Sequence, residues 1–290
     1  MSRIIIAAPS YNPAIGGSIA LHRLCDILIR LGYDAYLYPT IKLNGNEQTF
    51  IVNTEYKYQI ASEIDIENDI AMYPEIQPSN PFGCKKVIRY ILNKFHLPEY
   101  DNTISTWNDN DFWIYYHELF YDDIKEKNIL TILDSKLDLY KDYGLVRNNE
   151  ACFTYRKNNH RRNEIQAIHP KNAIEIGYNV GDSELVTIFN SCKTFYSYDT
   201  ETYLSTIAAL CGCTSVIVPD KDLSEEEIEI RRKNLGITFG VAYGVDDIEN
   251  AKKTSHLLRE HFENQEISQF TETKNMIIKI YKHFNILTTI

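Results

Sequence analysis

Residues 194–219 read TFYSYDTETYLSTIAALCGCTSVIVP, which is a strand, a tight loop, a helix and a second strand in direct succession. That order leaves few architectures open. Two strands joined through a helix run parallel in one sheet, with the helix packed on its face. Residues 194–197 are β-branched and aromatic, as strands favour. Tyr198, Asp199 and Thr200 make the turn, with Asp199 placed as a helix N-cap. Leu204, Ile207, Ala208 and Cys211 recur at helical spacing, and Gly212 ends the helix. Residues 214–218 are an apolar run of the kind found in parallel strands covered on both faces. The unit thus predicts a helix N-terminus at the carboxyl edge of a parallel sheet. Open α/β folds bind ligands there, and exposed N–H groups suit a phosphate.

The rest of the chain repeats the alternation. Residues 3–8 (RIIIAA) are a strand, followed by the loop PSYNPAIGG. Ser18 is positioned to cap a helix to Leu31, with Leu21, Leu24, Cys25 and Leu28 on one face. The next strand, 33–38, ends at Tyr38-Pro39. Gly16 and Gly17 at the helix start either admit a ligand close to the backbone or make a tight turn without one. They do not form G-x-G-x-x-G. Further strands are expected at 69–73, 112–116 and 128–133, and a basic-faced helix at 85–93. The polar segment 144–150 marks a boundary between an N-terminal domain, 1–146, and a C-terminal domain, 147–290. Beyond it the pattern predicts strands at 151–155 and 173–176, a helix from Ser183, a charged helix at 224–233, and a strand at 237–242. Helices at 246–262 and 270–284 close the chain, the last placed to pack back on the N-terminal domain. The fold class is α/β, with two Rossmann-like domains facing a cleft.

Bulk properties narrow the partners. The net charge is −10 and the pI is near 5.3. That balance argues against a broad nucleic-acid surface, so no nucleic-acid partner is expected. The six cysteines lack C-x-x-C spacing and read as reduced, buried thiols. No signal peptide opens the sequence, and no apolar run reaches the roughly 18 residues of a membrane span. A cytoplasmic protein is expected. The 85–89 stretch would either touch the inner face of the membrane or be a solvated face.

Chemistry collects at the predicted strand carboxyl ends. The first half places residues 10–17, Glu75 and His117 there. The second half places Arg156, Lys157, Gly177, residues 198–202, Tyr243 and Gly244 there. An acidic and histidine set opposite a cationic set suits a phosphorylated donor meeting a hydroxyl acceptor. Arg156 would act as a bidentate fork and Lys157 as a point cation, or the two are a solvated pair at a strand end. Tyr198, Asp199, Thr200 and Thr202 would face the donor. Glu201 either accepts from sugar hydroxyls or stabilises a helix's first turn. Asp109-Asn110-Asp111 precedes a strand and reads as a loop, so no metal site is assigned.

The segment GGSIALHRLCDILIRLGYDAYLYP is similar to the opening of GT-B glycosyltransferases. With MYPEI, NPFGCKKVIRYILNK, FTYRK and the 194–219 stretch, the chain resembles bacterial surface-polysaccharide (lipopolysaccharide or capsule) glycosyltransferases. The resemblance implies a nucleotide-diphosphate sugar held mainly by the C-terminal domain, and a glycan or lipid-linked acceptor on the N-terminal domain. It also implies no cofactor and no obligatory metal. An inverting transfer would use Glu75 or His117 as the base, with His22 third; a retaining one would need none. Two rivals share the pattern: a non-catalytic nucleotide- or sugar-binding protein, and a Rossmann enzyme using a dinucleotide or S-adenosylmethionine. Against the latter, the second strand does not end in an acidic residue.

Overall fold

A computed structural model describes residues 2–13, 15–40, 49–93, 98–121, 125–178, 180–200, 202–219, 224–234 and 239–287. The chain divides into two units, Met1–Asp134 with Gln265–Ile290, and Ser135–Asn264. The boundary expected at 146/147 lies inside the second of these.

In the first unit, β1 (Ile4–Ala8), β2 (Ala35–Pro39), β3 (Ile70–Pro74), β4 (Lys86–Ile91) and β5 (Phe112–Tyr115) form a parallel five-stranded sheet. Its order is β2-β1-β3-β4-β5. The alternation of β1 splits the core. Ile4, Ile6 and Ala8 join one cluster, Ile5 and Ala7 the other. Both faces are covered, which is why β1 is apolar throughout. The first cluster takes Leu21, Leu24, Cys25 and Leu28 from α1 (Gly16–Arg30) and Met276, Ile277, Ile280 and Tyr281 from near the chain's end.

In the second unit, β6 (Asn149–Thr154), β7 (Ile174–Glu175), β8 (Cys192–Ser197), β9 (Thr214–Ile217) and β10 (Val241–Tyr243) form another parallel sheet, ordered β10-β9-β8-β6-β7. Numbered from its own first strand, each sheet has the order 2-1-3-4-5. Each therefore has one switch point, between its first and third strands, where connections leave in opposite directions. Doubly wound folds bind ligands at that point.

Several expectations are corrected. The predicted basic helix at 85–93 is β4. Its apolar positions fit helical spacing, but Arg89 points inward and is only 1% exposed. Arg89 Nε donates to Asp111 at 2.7 Å, and its other nitrogens donate to the carbonyls of Gln77 and Ser79. The helix proposed to touch a membrane therefore does not exist, and no described helix is long and apolar enough to cross one. The two predicted C-terminal helices are one, Ile248–His283.

Helix α1 begins at Gly16, so Ser18 is not its cap. Ser18 instead accepts from the Asn12 amide and donates to the Ser10 carbonyl, stitching the preceding loop. Residues 128–133 contribute only a single bridge, Tyr115 to Ile129. The helix expected from Ser183 is α3 (Asp182–Ser191), after α2 (Pro98–Ile104). The short helix after β8 is α4 (Leu204–Leu210), and the exposed α5 (Glu225–Asn234) precedes the long C-terminal helix, α6. Ser224 and Glu227 form a reciprocal capping box for α5.

Candidate functional site

The second unit's switch point lies between the carboxyl ends of β6 and β8. The ladder continues one residue past these strands. The Tyr198 amide donates to the Thr154 carbonyl at 2.9 Å, and the Val218 amide donates to the Ser197 carbonyl at 2.8 Å. Tyr155 leaves β6 and stacks on Tyr198 with ring centroids 4.2 Å apart. Phe153 stacks on His169 at 3.7 Å. The Tyr198 hydroxyl accepts from the Ile168 amide at 2.8 Å and lies 2.9 Å from His169 Nδ1.

Tyr198 is wholly buried in this stack, so its ring supports the wall instead of facing a ligand. Burial raises its pKa. Burial, then the charge of Arg162, lowers that of His169 against the pull of Glu175.

The cations come from a 3₁₀ helix, Arg156–Arg162, that replaces the loop expected there. The Arg156 guanidinium lies over the exposed Tyr178 ring at 5.5 Å and donates to the Tyr178 carbonyl at 3.3 Å. Arg162 lies over Tyr155 at 4.4 Å and pairs with Glu175. Arg161 turns inward to carbonyls at the ends of β8 and β9. Neither Arg161 nor His169 stood out in the sequence, because a polar, basic run reads as solvated. The side chain of Lys157 and the whole of Glu201 lie outside the described residues.

Asp199 does not cap a helix. Helix α4 starts only at Leu204, after Tyr203, and spans seven residues. The Asp199 carbonyl accepts from Ser197 Oγ at 2.6 Å, and Thr202 Oγ1 accepts from the Leu204 amide at 3.4 Å. Asp199 and Thr200 are buried and Thr202 is half-buried. A loop, not a helix N-terminus, therefore stands at this edge. Gly177, at the end of β7, has open space around it.

The first unit's switch point lies between β1 and β3. A Cβ on Gly16 would meet nothing within 4 Å, and one on Gly17 would lie 3.5 Å from Leu92 Cδ1. Neither glycine has a positive φ. Chain packing does not require glycine at either place, and the pair leaves a bare backbone edge. Glu75 follows β3 and accepts from the Leu92 amide at 2.9 Å. Burial pushes its carboxyl pKa up, against the hydrogen bonds from Leu92 and its own amide. Gly17 thus borders the Leu92 side chain and Glu75 the Leu92 amide. His117 follows β5, two strand spacings or about 10 Å away along the sheet. Burial lowers its pKa, against Glu118. Among the proposed donor residues, Gly16 and Gly17 belong to this unit and the others to the second.

His22 is buried behind the loop and donates from Nε2 to the Pro9 carbonyl at 2.9 Å. Burial lowers its pKa. A histidine held neutral in the folded state takes up its proton first in the unfolded chain. The stability it supports is complete above the unfolded value, about 6.5, and is lost as pH falls below it. His22→Gln keeps a donor for Pro9. Its melting temperature is expected to fall less than the parent's between about pH 7 and pH 5. Parallel curves would remove His22 from this account.

Among the described residues, no group of three or more His, Cys, Asp or Glu is arranged to hold a metal ion. No protein-family model and no curated protein matches the chain. One solved structure is similar at TM-score 0.50 and 11% identity, over 97% of this chain and 95% of that one. It is an alpha-glucosyltransferase in complex with UDP and a 13-mer DNA containing a HMU base. An alpha-glucosyltransferase with UDP and mismatch-containing DNA reaches 0.49 at 11% identity, covering 94% of both chains. Another with UDP alone reaches 0.48 at 12%, covering 98% and 96%.

The first of these corrects the expectation of no nucleic-acid partner. A protein of this fold stands in complex with DNA, so the fold itself is compatible with such a partner. Local surface charge decides, not the total. The likeness at 0.50 spans both units. The fold is therefore GT-B-like α/β, built from two Rossmann-like units with five-stranded parallel sheets.

Proposed function

We propose that the chain transfers a sugar from a nucleoside diphosphate sugar to an acceptor hydroxyl. One observation carries this reading. The same strand order occurs twice, with opposite chemistry at its two switch points. The second unit presents arginines and aromatic rings; the first presents bare glycine backbone and a buried carboxyl with a raised pKa.

In this reading the second unit binds the donor. Arg156 and Lys157 neutralise the diphosphate as it leaves. Asp199, Thr200 and Thr202 line the sugar side, with Glu201 accepting from its hydroxyls. Gly16 and Gly17, also assigned to the donor, leave the backbone open to a ligand. Glu75 takes the acceptor's proton, and His117 is the alternative base.

The acceptor hydroxyl is carried by nucleic acid. Its support is the DNA bound to an alpha-glucosyltransferase of this fold. A glycan or lipid-linked acceptor is the second reading, supported by the resemblance of the motif order to that of surface-polysaccharide transferases. All six cysteines are free and buried, which supports a reducing compartment such as the cytoplasm.

A thermal-shift screen of nucleoside diphosphates and their sugars, with donor hydrolysis followed, tests the donor class. Stabilisation only by NAD or S-adenosylmethionine would sink it. Offering DNA containing a HMU base and a glycan in parallel separates the acceptors. Arg156→Ala is expected to weaken diphosphate binding about tenfold with the fold intact. Unchanged affinity would remove Arg156 from the site.

A further inference from the structure

The geometry points to Arg161 as a positioning residue for the donor's diphosphate, an inference that rests on the donor reading above. Arg161 is 2% exposed. Its Nη1 donates to the Tyr198 carbonyl at 2.5 Å and to the Val218 carbonyl at 3.2 Å, and its Nη2 donates to Val218 at 3.1 Å. Tyr198 and Val218 are the first residues after β8 and β9, and Arg161 itself lies in the 3₁₀ helix after β6. These strands are neighbours in the order β9-β8-β6. One side chain therefore ties together the carboxyl ends of three adjacent strands, beside the switch point.

Two consequences follow for a diphosphate. Fixing the Tyr198 carbonyl fixes the start of the loop carrying Asp199, Thr200 and Thr202. The guanidinium also sets a permanent positive charge behind that loop. There, water and salt screen it less than they screen an exposed cation. Desolvating a charge is costly, and an apolar side chain of similar volume would fill the space without that cost. A lysine would keep the charge but lose the planar fork that reaches two strands at once. Arg161 acts on the donor through the loop and through its field. Arg156 is the residue assigned to direct contact.

The test compares the wild-type protein with Arg161→Met and Arg161→Lys by calorimetric titration. The probes are UDP, GDP, ADP, CDP and dTDP, each paired with its nucleoside. Arg161→Met is expected to weaken the best diphosphate about tenfold and its nucleoside less than about threefold. Arg161→Lys is expected to weaken the diphosphate about threefold and leave the nucleoside unchanged. Equal losses for diphosphate and nucleoside would show a purely structural role and overturn the inference. Unchanged diphosphate affinity would overturn it too. If Arg161→Met does not fold, the same ratio in Arg161→Lys decides. A wild-type protein that binds none of the diphosphates overturns the donor reading itself.

Discussion

Glu75→Gln is expected to lower sugar transfer by about 10²- to 10⁴-fold while donor affinity and fold survive. The side chain is buried just past β3, with its carboxylate on the Leu92 amide. Glutamine keeps an oxygen for that amide and cannot take a proton at neutral pH. The stability sign separates this substitution from damage. Burial raises the folded pKa of Glu75. Its stabilising contribution is therefore complete below the unfolded value, about 4.3, and is lost as pH rises through the folded one.

Glutamine never ionises, so the variant's neutral-pH melting temperature should equal or exceed the parent's. Wild-type activity should rise with pH through the raised value, and that limb should vanish in the variant. Transfer assays, donor titration and melting curves across pH check all three points. Activity within about tenfold of the parent would remove Glu75 as base. His117, or a retaining route without a protein base, would then remain.

The second large effect is on stability. Asp111→Ala is expected to cost about 3–5 kcal/mol, because it strands a cation inside the first unit. Arg89 and Asp111 are both buried, and the Arg89 guanidinium lies between the rings of Tyr73, at 5.1 Å, and Trp107, at 4.9 Å. The hydrogen bonds to Gln77 and Ser79 remain after the substitution but do not balance the charge. The double variant Arg89→Met/Asp111→Leu should recover most of the loss, since an apolar pair of similar volume needs no counter-ion. Urea unfolding of both variants measures this. A single-variant loss below about 1 kcal/mol would mean that water reaches the guanidinium.

The same pair shows where the sequence stopped being legible. The wholly apolar run of β1 and the β-branched, aromatic run of β8 announced themselves, because few other structures use such residues consecutively. In β4, Val87, Ile88, Tyr90 and Ile91 lie on one side of a helical wheel, and Arg89 then reads as its exposed face. Only Asp111, from a segment distant in sequence, makes an inward Arg89 tolerable, and no local pattern carries that information. The two C-terminal helices were separated at a polar stretch around Asn264 and Gln265 that the real helix simply continues through. At the candidate site, the strand-end positions of Glu75 and Arg156 were legible, because each follows a run of strand-forming residues. Arg161 was missed because its partners are carbonyls, which have no signature in a sequence. The N-cap assigned to Asp199 failed because the chain runs through Tyr203 before it turns helical.

Helix α6 carries a consequence for how the molecule comes into being. Its later part, from Gln265, belongs to the first unit, and Met276, Ile277, Ile280 and Tyr281 seal the core around Ile4 and Ile6. A ribosome delivers the amino end first. The second unit is contiguous in sequence and is complete on emergence of residue 264. The first unit must wait, with an apolar flank of its sheet open to solvent, until residues 276–281 have been made. Of the two units, the one begun first is thus finished second, and through that interval its bare flank is where a nascent chain is most exposed to aggregation or to a chaperone's grip.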